Sequence, residues 1–175
     1  MATVAKTTLK PIKLEYKEVG DGTTYTSCMG VLKGLSLAQD APDENEIQAE
    51  FYDSPFDIIY TGKPIKITFD LVNYKLADLP ALFGGKYTAA TATEDETYMA
   101  ATSAFTSEKE WKLSFQKGNS ALIVYRGKTL GTLKKDADGA LAYSVTITSL
   151  VADGGTDDSA DDKMYAIIGD AKTGA

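Results

Sequence analysis

The 175 residues include no histidine, which removes much familiar chemistry at once. A Ser-His-Asp triad, a Cys-His pair and a histidine metal site all need an imidazole. Cys28 is the single cysteine. No evident base stands ready to activate it, so it reads as a small buried or half-buried side chain. "GKT" at 127–129 is the tail of a phosphate-binding loop, yet the loop's first glycine would fall on Leu122. "DADG" at 136–139 suggests part of a calcium loop, but its first and twelfth ligands would then be Lys134 and Val145. Asp157, Asp158, Asp161 and Asp162 could hold calcium, although a solvated acidic loop accounts for them more simply. Glu94 and Glu96 are the kind of pair that does acid–base work on a glycoside, and nothing separates them from the other acids. The expectation is a protein that is not an enzyme, with no catalytic, cofactor or metal residue to assign.

Composition narrows the field further. The length suits one domain with a real core, spanning 1–175. A net charge of −7 disfavours nonspecific phosphate binding, which wants a basic face. With one cysteine there is no intrachain disulfide, which fits a reducing compartment. The start, "MATVAKTTLKPIK", lacks the apolar core of a signal peptide, and no run is long enough to span a bilayer. The chain reads as made in a cytoplasm.

The elements that would position any function are mostly strands. "IKLEYKEV" at 12–19 puts Ile12, Leu14 and Tyr16 on one face. "GDG" at 20–22 turns, and 23–37 continues as an extended stretch. "AQDAPDEN" at 38–45 reads as an exposed loop. "EIQAEFY" and "FDIIY" follow, and "IKITFDLV" aligns Ile65, Ile67, Phe69 and Leu71. Later, "WKLSF" alternates, and "ALIVY" at 121–125 reads as a central strand buried on both faces. "RGKT" is expected to turn into "LGTL", and "KDADG" to form a hairpin turn. "LAYSVTITSL" sets Leu141, Tyr143, Val145 and Ile147 against Ala142, Ser144, Thr146 and Thr148. An acidic loop at 153–163 precedes a last strand, "MYAIIG".

One unit differs from the rest. In "ITFDLVNYKLADLPALFGGKY", 67–87, a strand runs into leucines at helical spacing, Leu76, Leu79 and Leu82 or Phe83. Pro80 is tolerable in a first turn, and Gly84-Gly85 suits the left-handed exit. The helix would plug one open end of a sheet sandwich. After it, 86–108 is rich in Ala and Thr and poorly periodic. It reads as a surface loop or edge hairpin, or as an arm that orders against a neighbour. The fold class is therefore mostly β: an antiparallel β-sandwich or barrel-like domain, one short flanking α-helix, and a long loop or hairpin arm.

A strand, "LADLPALFGG", then a Thr/Ala arm, followed by "ALIVYRGKTLGTL" and an Asp-Gly turn into an alternating strand, resembles the major tail tube protein of long-tailed bacteriophages over about residues 45–150. The resemblance implies a sandwich of antiparallel sheets with a flanking helix. Six copies would form a ring, inner strands would make a continuous barrel, and rings would stack through long loops. DNA would pass down the lumen without specific binding. The partners implied are further copies and other tail proteins, with no membrane. The location is the virion tail, after synthesis in the host cytoplasm. Such a conduit should not grip phosphate, needs edge strands open to the next copy, and needs loops that order on assembly. The stretches 38–46 and 86–108 are the candidates for those loops.

On this reading the subunit interface draws on three groups. Phe51, Tyr52 and Phe56 crowd around Asp53-Ser54-Pro55, as an interface patch or a bent strand. Leu76, Leu79, Leu82 and Phe83 form the helical wedge, and Tyr87, Tyr98, Met99 and Phe105 lie in the arm. The rival reading is a non-catalytic β-sandwich binding module for a carbohydrate or receptor at a tail tip or baseplate. An enzyme using only carboxylates is a third and weaker one.

Overall fold

Alternation builds the sheet. In the strand Ile65–Val72, Ile65, Ile67, Phe69 and Leu71 are buried while Lys66 is exposed and Thr68 and Asp70 are half-buried. Period-two patterning of this kind sends one set of side chains inward and the other outward. A computed structural model describes residues 11–20, 24–28, 31–47, 57–100, 106–115, 121–151 and 164–168.

The strands are β1 (Pro11–Glu18), β2 (Thr26–Ser27), β3 (Val31–Gln39), β4 (Asp43–Ile47), β5 (Asp57–Thr61) and β6 (Ile65–Val72). A 3-10 turn (Leu76–Asp78) and helix α1 (Leu79–Phe83) come next. Then follow β7 (Lys86–Thr88), β8 (Thr97–Met99), β9 (Thr106–Phe115), β10 (Ala121–Lys135), β11 (Leu141–Ser149) and β12 (Tyr165–Ile168). The main sheet runs β2-β1-β9-β10-β11-β6-β3, every pairing antiparallel, with β12 also on β10. Hairpins β4–β5 and β7–β8 stand apart from it. The fold is mostly β, with one short helix.

The inner face carries a continuous apolar surface. Register sets Tyr16 opposite Trp111 and Trp111 opposite Val124, and further along sets Ile147 opposite Ile67. All five are buried in one core. A five-residue helix covers only part of that face. Among the described residues no pairing joins β1 or β2 to β3, so the sheet does not close into a barrel.

Helix α1 sits over the inner face. Leu79, Leu82 and Phe83 are buried, and Pro80 occupies the first turn, where no backbone donor is lost. Gly84 ends it with its N–H donating to the Pro80 carbonyl at 2.8 Å. Gly84 and Gly85 both have positive φ, 71° and 91°, which lets the chain leave sharply. Two glycines of β10 admit the core's rings: a Cβ at Gly127 would stand 2.7 Å from Trp111 Cδ1, and Gly131 faces Phe83.

Several expectations change. "RGKT" does not turn: β10 runs unbroken for 15 residues, and a bulge sets Tyr125 and Arg126 opposite the single residue Glu110. The bulge absorbs the irregularity that the sequence reads as a turn. The polar stretch 38–45 is not one loop, because Gln39 ends β3 and Asp43 begins β4, whose partner β5 supplies the hydrogen bonds. Within 86–108 the described residues form the β7–β8 hairpin, one of the forms expected, and from Thr106 the start of β9. At the start of β11 the alternation inverts: Leu141 is 64% exposed and Ala142 fully buried. Lys134 crosses β11 there to meet Asp70 on β6 at 2.6 Å. The hairpin turn at 135–139 forms as expected, with Gly139 N–H donating to the Asp136 carbonyl. The acidic loop 153–163 and most of "EIQAEFY" lie outside the described residues.

Candidate assembly surface

Two strand edges stand out among those that lack a partner in the described residues. One is the far edge of β3, nine residues long and paired only with β6. The other belongs to β12. This strand pairs with Ala121–Val124 of β10, on the edge that β11 occupies from Gly127 to Lys135. β11 and β12 thus lie end to end along one side of β10, and the outer edge of β12 faces no described strand. Its side chains are unusually bare for an apolar strand: Ile167 is 73% exposed, with Ile168 and Tyr165 also exposed. An open edge with apolar side chains is a template for pairing with another chain.

A second apolar patch lies at the β10–β11 hairpin. Leu133 and Leu141 sit on the inner-face side of their strands but beyond the core, and both are exposed. Leu130 is exposed on the opposite face.

The β7–β8 hairpin rests on the helix exit. Tyr98 Oη donates to the Gly84 carbonyl at 2.8 Å, and its ring packs against the core. A Cβ at Gly85 would collide with the Met99 carbonyl. The hairpin end is ordered by its own bonds: Thr91 N–H donates to the Glu94 carbonyl, and Thr91 Oγ1 accepts from Glu94 N–H at 3.1 Å. Tyr87 Oη donates to Glu96 at 2.8 Å. Every residue from 91 to 97 is exposed.

The expected interface residues divide accordingly. Met99 is exposed, Tyr87 and Tyr98 are half-buried, and Leu76 packs partly against the core. Leu79, Leu82 and Phe83 are 1–3% exposed, filling the core of their own chain. Their burial follows from the uncovered inner face beneath them. Phe51, Tyr52, Phe56 and Phe105 lie outside the described residues. Sequence reading missed the exposed residues of β12 and of the β10–β11 hairpin. The only signal for β12 was an apolar run too short to alternate, "AII", and such a run reads as buried by default.

The chemistry-bearing residues fall into structural places. Gly127 and Lys128 of "GKT" lie within β10, and Asp136 and Asp138 of "DADG" both pair with Lys33 of β3. Among the described residues no three Cys, Asp or Glu side chains gather as a metal group. Cys28 is half-buried, and burial, then the nearby Asp78 carboxylate, push its thiol up to about 12. Its backbone N–H donates to Leu14 at 2.9 Å. A thiol held so firmly protonated is not a nucleophile at neutral pH. Tyr25 is held above the ordinary phenol range by burial and by its hydrogen bond to Glu110, with Lys17 and Lys112 over its ring. That group locks β9 to the segment before β2.

No described helix is long and apolar enough to cross a membrane, which leaves membrane crossing by strands unaddressed. Compared with protein-family models the chain matches none, and comparison with curated proteins finds no match.

Proposed function

We propose that the chain is a structural virion protein that joins copies of itself into stacked rings, forming a tail tube through which DNA is ejected. The observation that carries this reading is the pair of unpartnered edges on β3 and β12, with Ile167 73% exposed on the latter. A monomer ordinarily covers or charges such edges. Two different open edges on one chain suit a head-to-tail contact, and such contacts close into rings when the rotation allows. The exposed hairpin at 86–99 supplies a second surface for contacts between rings. DNA passes without specific binding, other tail proteins meet the ends, and no cofactor takes part.

Electron microscopy of the purified chain, with particle mass measured in parallel, tests the reading. Rings or tubes of uniform diameter support it. A monomer retained on a glycan resin supports the binding-module alternative instead.

A further inference from the structure

The outward face of β3, β6, β11 and β10 differs in charge from the rest of the chain. Register aligns its side chains in rows across the strands. Ala38, Lys66, Thr148 and Lys128 form one row, and Ser36, Thr68, Thr146 and Leu130 the next. Lys33, Asp70, Ser144 and Thr132 form a third. The strands thus present Lys33, Lys66, Lys128 and Lys134 against the single acid Asp70, on a protein of net charge −7. Lys134 pairs with Asp70, and Lys33 with Asp136 and Asp138. Lys66 and Lys128 are exposed, and no salt bridge joins either to an acid among the described residues; Glu108 of β9, opposite Lys128 in register, pairs with Arg126. They flank Thr148 on neighbouring strands, in a bed of hydroxyl groups.

Copies that each carry −7 repel one another. A contact that sets exposed cations against a neighbour's acids offsets that repulsion, because complementary charge fixes register and like charge costs several kcal/mol. The chain's own β7–β8 hairpin offers such acids. Glu94 and Asp95 are exposed, their carboxylates are unpaired among the described residues, and the Thr91 hydrogen bonds hold their turn in shape. Glu96 is already engaged by Tyr87. Two unpaired lysines are few for a nucleic-acid backbone, where tight binding uses about six to ten phosphate contacts.

We infer that the Lys66–Thr148–Lys128 face docks a second copy of this chain, receiving that copy's hairpin through Glu94 and Asp95. This rests on the self-assembly reading and specifies its partner surfaces. The contact is heterologous, face to hairpin, so it propagates from one copy to the next. The hydroxyls of Thr146 and Thr148 remain available to the incoming carboxylates and turn backbone.

Charge reversal tests it, read by sedimentation and electron microscopy of the full chain. K66E/K128E and E94K/D95K should each weaken assembly by about tenfold or more, the equivalent of about 1.4 kcal/mol. All four positions are exposed, so thermal melting should stay close to that of the parent. Combining the four changes in one chain should restore assembly. If both reversed variants assemble like the parent, or if the fourfold variant stays unassembled, the inference fails while the assembly reading stands. If the parent retains duplex DNA at physiological salt and K66E/K128E loses it with assembly intact, the face serves nucleic acid and the inference is overturned. A parent chain that never assembles overturns both.

Discussion

Gly131 lies beneath the ring of Phe83, so close that a Cβ at 131 would stand 2.5 Å from the ring's Cε1 atom. Phe83 has little room to retreat, since its other neighbours include Tyr143, with ring centroids 5.0 Å apart. Gly131→Ala should therefore push α1 off the sheet and destabilise the fold by about 1–3 kcal/mol. A Cβ at Gly62 would meet no described atom within 4 Å beyond its chain neighbours, so Gly62 serves as the control. Gly62→Ala should change stability by less than about 1 kcal/mol. Urea midpoints of the two variants check the difference.

Thr129 is fully buried, and its hydroxyl has no hydrogen-bond partner among the described residues. A buried hydroxyl without a partner carries a desolvation cost that its apolar isostere avoids. Thr129→Val should stabilise the protein by about 1 kcal/mol, a rise of roughly 2–4 °C in melting temperature for a chain this long. Differential scanning calorimetry reads it, and a fall in melting temperature would contradict the packing described.

Cys28 links stability to pH. Its thiol titrates near 9.0 when unperturbed and about 12 in the fold, where burial and then Asp78 favour the neutral form. Below pH 9 both states keep the proton and its contribution is fully present. As pH rises from 9 towards 12 the unfolded chain loses a proton that the folded chain retains, so stability falls. Burial raises Tyr16 in the same direction. Urea midpoints should drop between pH 8.5 and 10.5 by less in Cys28→Ser than in the parent, and the native thiol should react slowly with alkylating reagents.

Much of this architecture is legible in residue types alone, and the exceptions have identifiable physics. Period-two alternation at Ile65–Leu71 and leucine spacing at 76–83 locate β6 and the helix because one face of each is buried. The break expected at 126–129 fails because a β-bulge resembles a turn in sequence, and only pairing to β9 distinguishes them. Asp43–Ile47 is too polar to read as a strand, yet β5 satisfies its backbone without asking for apolar side chains. The exposed edge of β12 is the hardest to see, since sequence records hydrophobicity and not which strands lie alongside. The residues of α1 show the same thing: Leu79, Leu82 and Phe83 fill the core of their own chain, and leucines that fill a core and leucines that meet a neighbour look alike in sequence.

Ile167 offers a direct probe of the β12 edge. It is exposed and contributes little to its own fold, so Ile167→Asp should leave the melting temperature within a few degrees of the parent. An aspartate on an edge strand opposes pairing with another strand. The variant should lose particle formation by sedimentation while keeping the parent's circular dichroism spectrum. Normal particles from Ile167→Asp would remove β12 from the interface.

The central claim is that this chain acts by joining copies of itself through the open edges of its sheet. Particle mass and negative-stain images of the purified chain across rising concentration test it most directly. The account predicts uniform rings or tubes whose mass is a fixed multiple of the chain's 18.7 kDa. A single monomeric mass at every concentration, with fields empty of ordered particles, would contradict it.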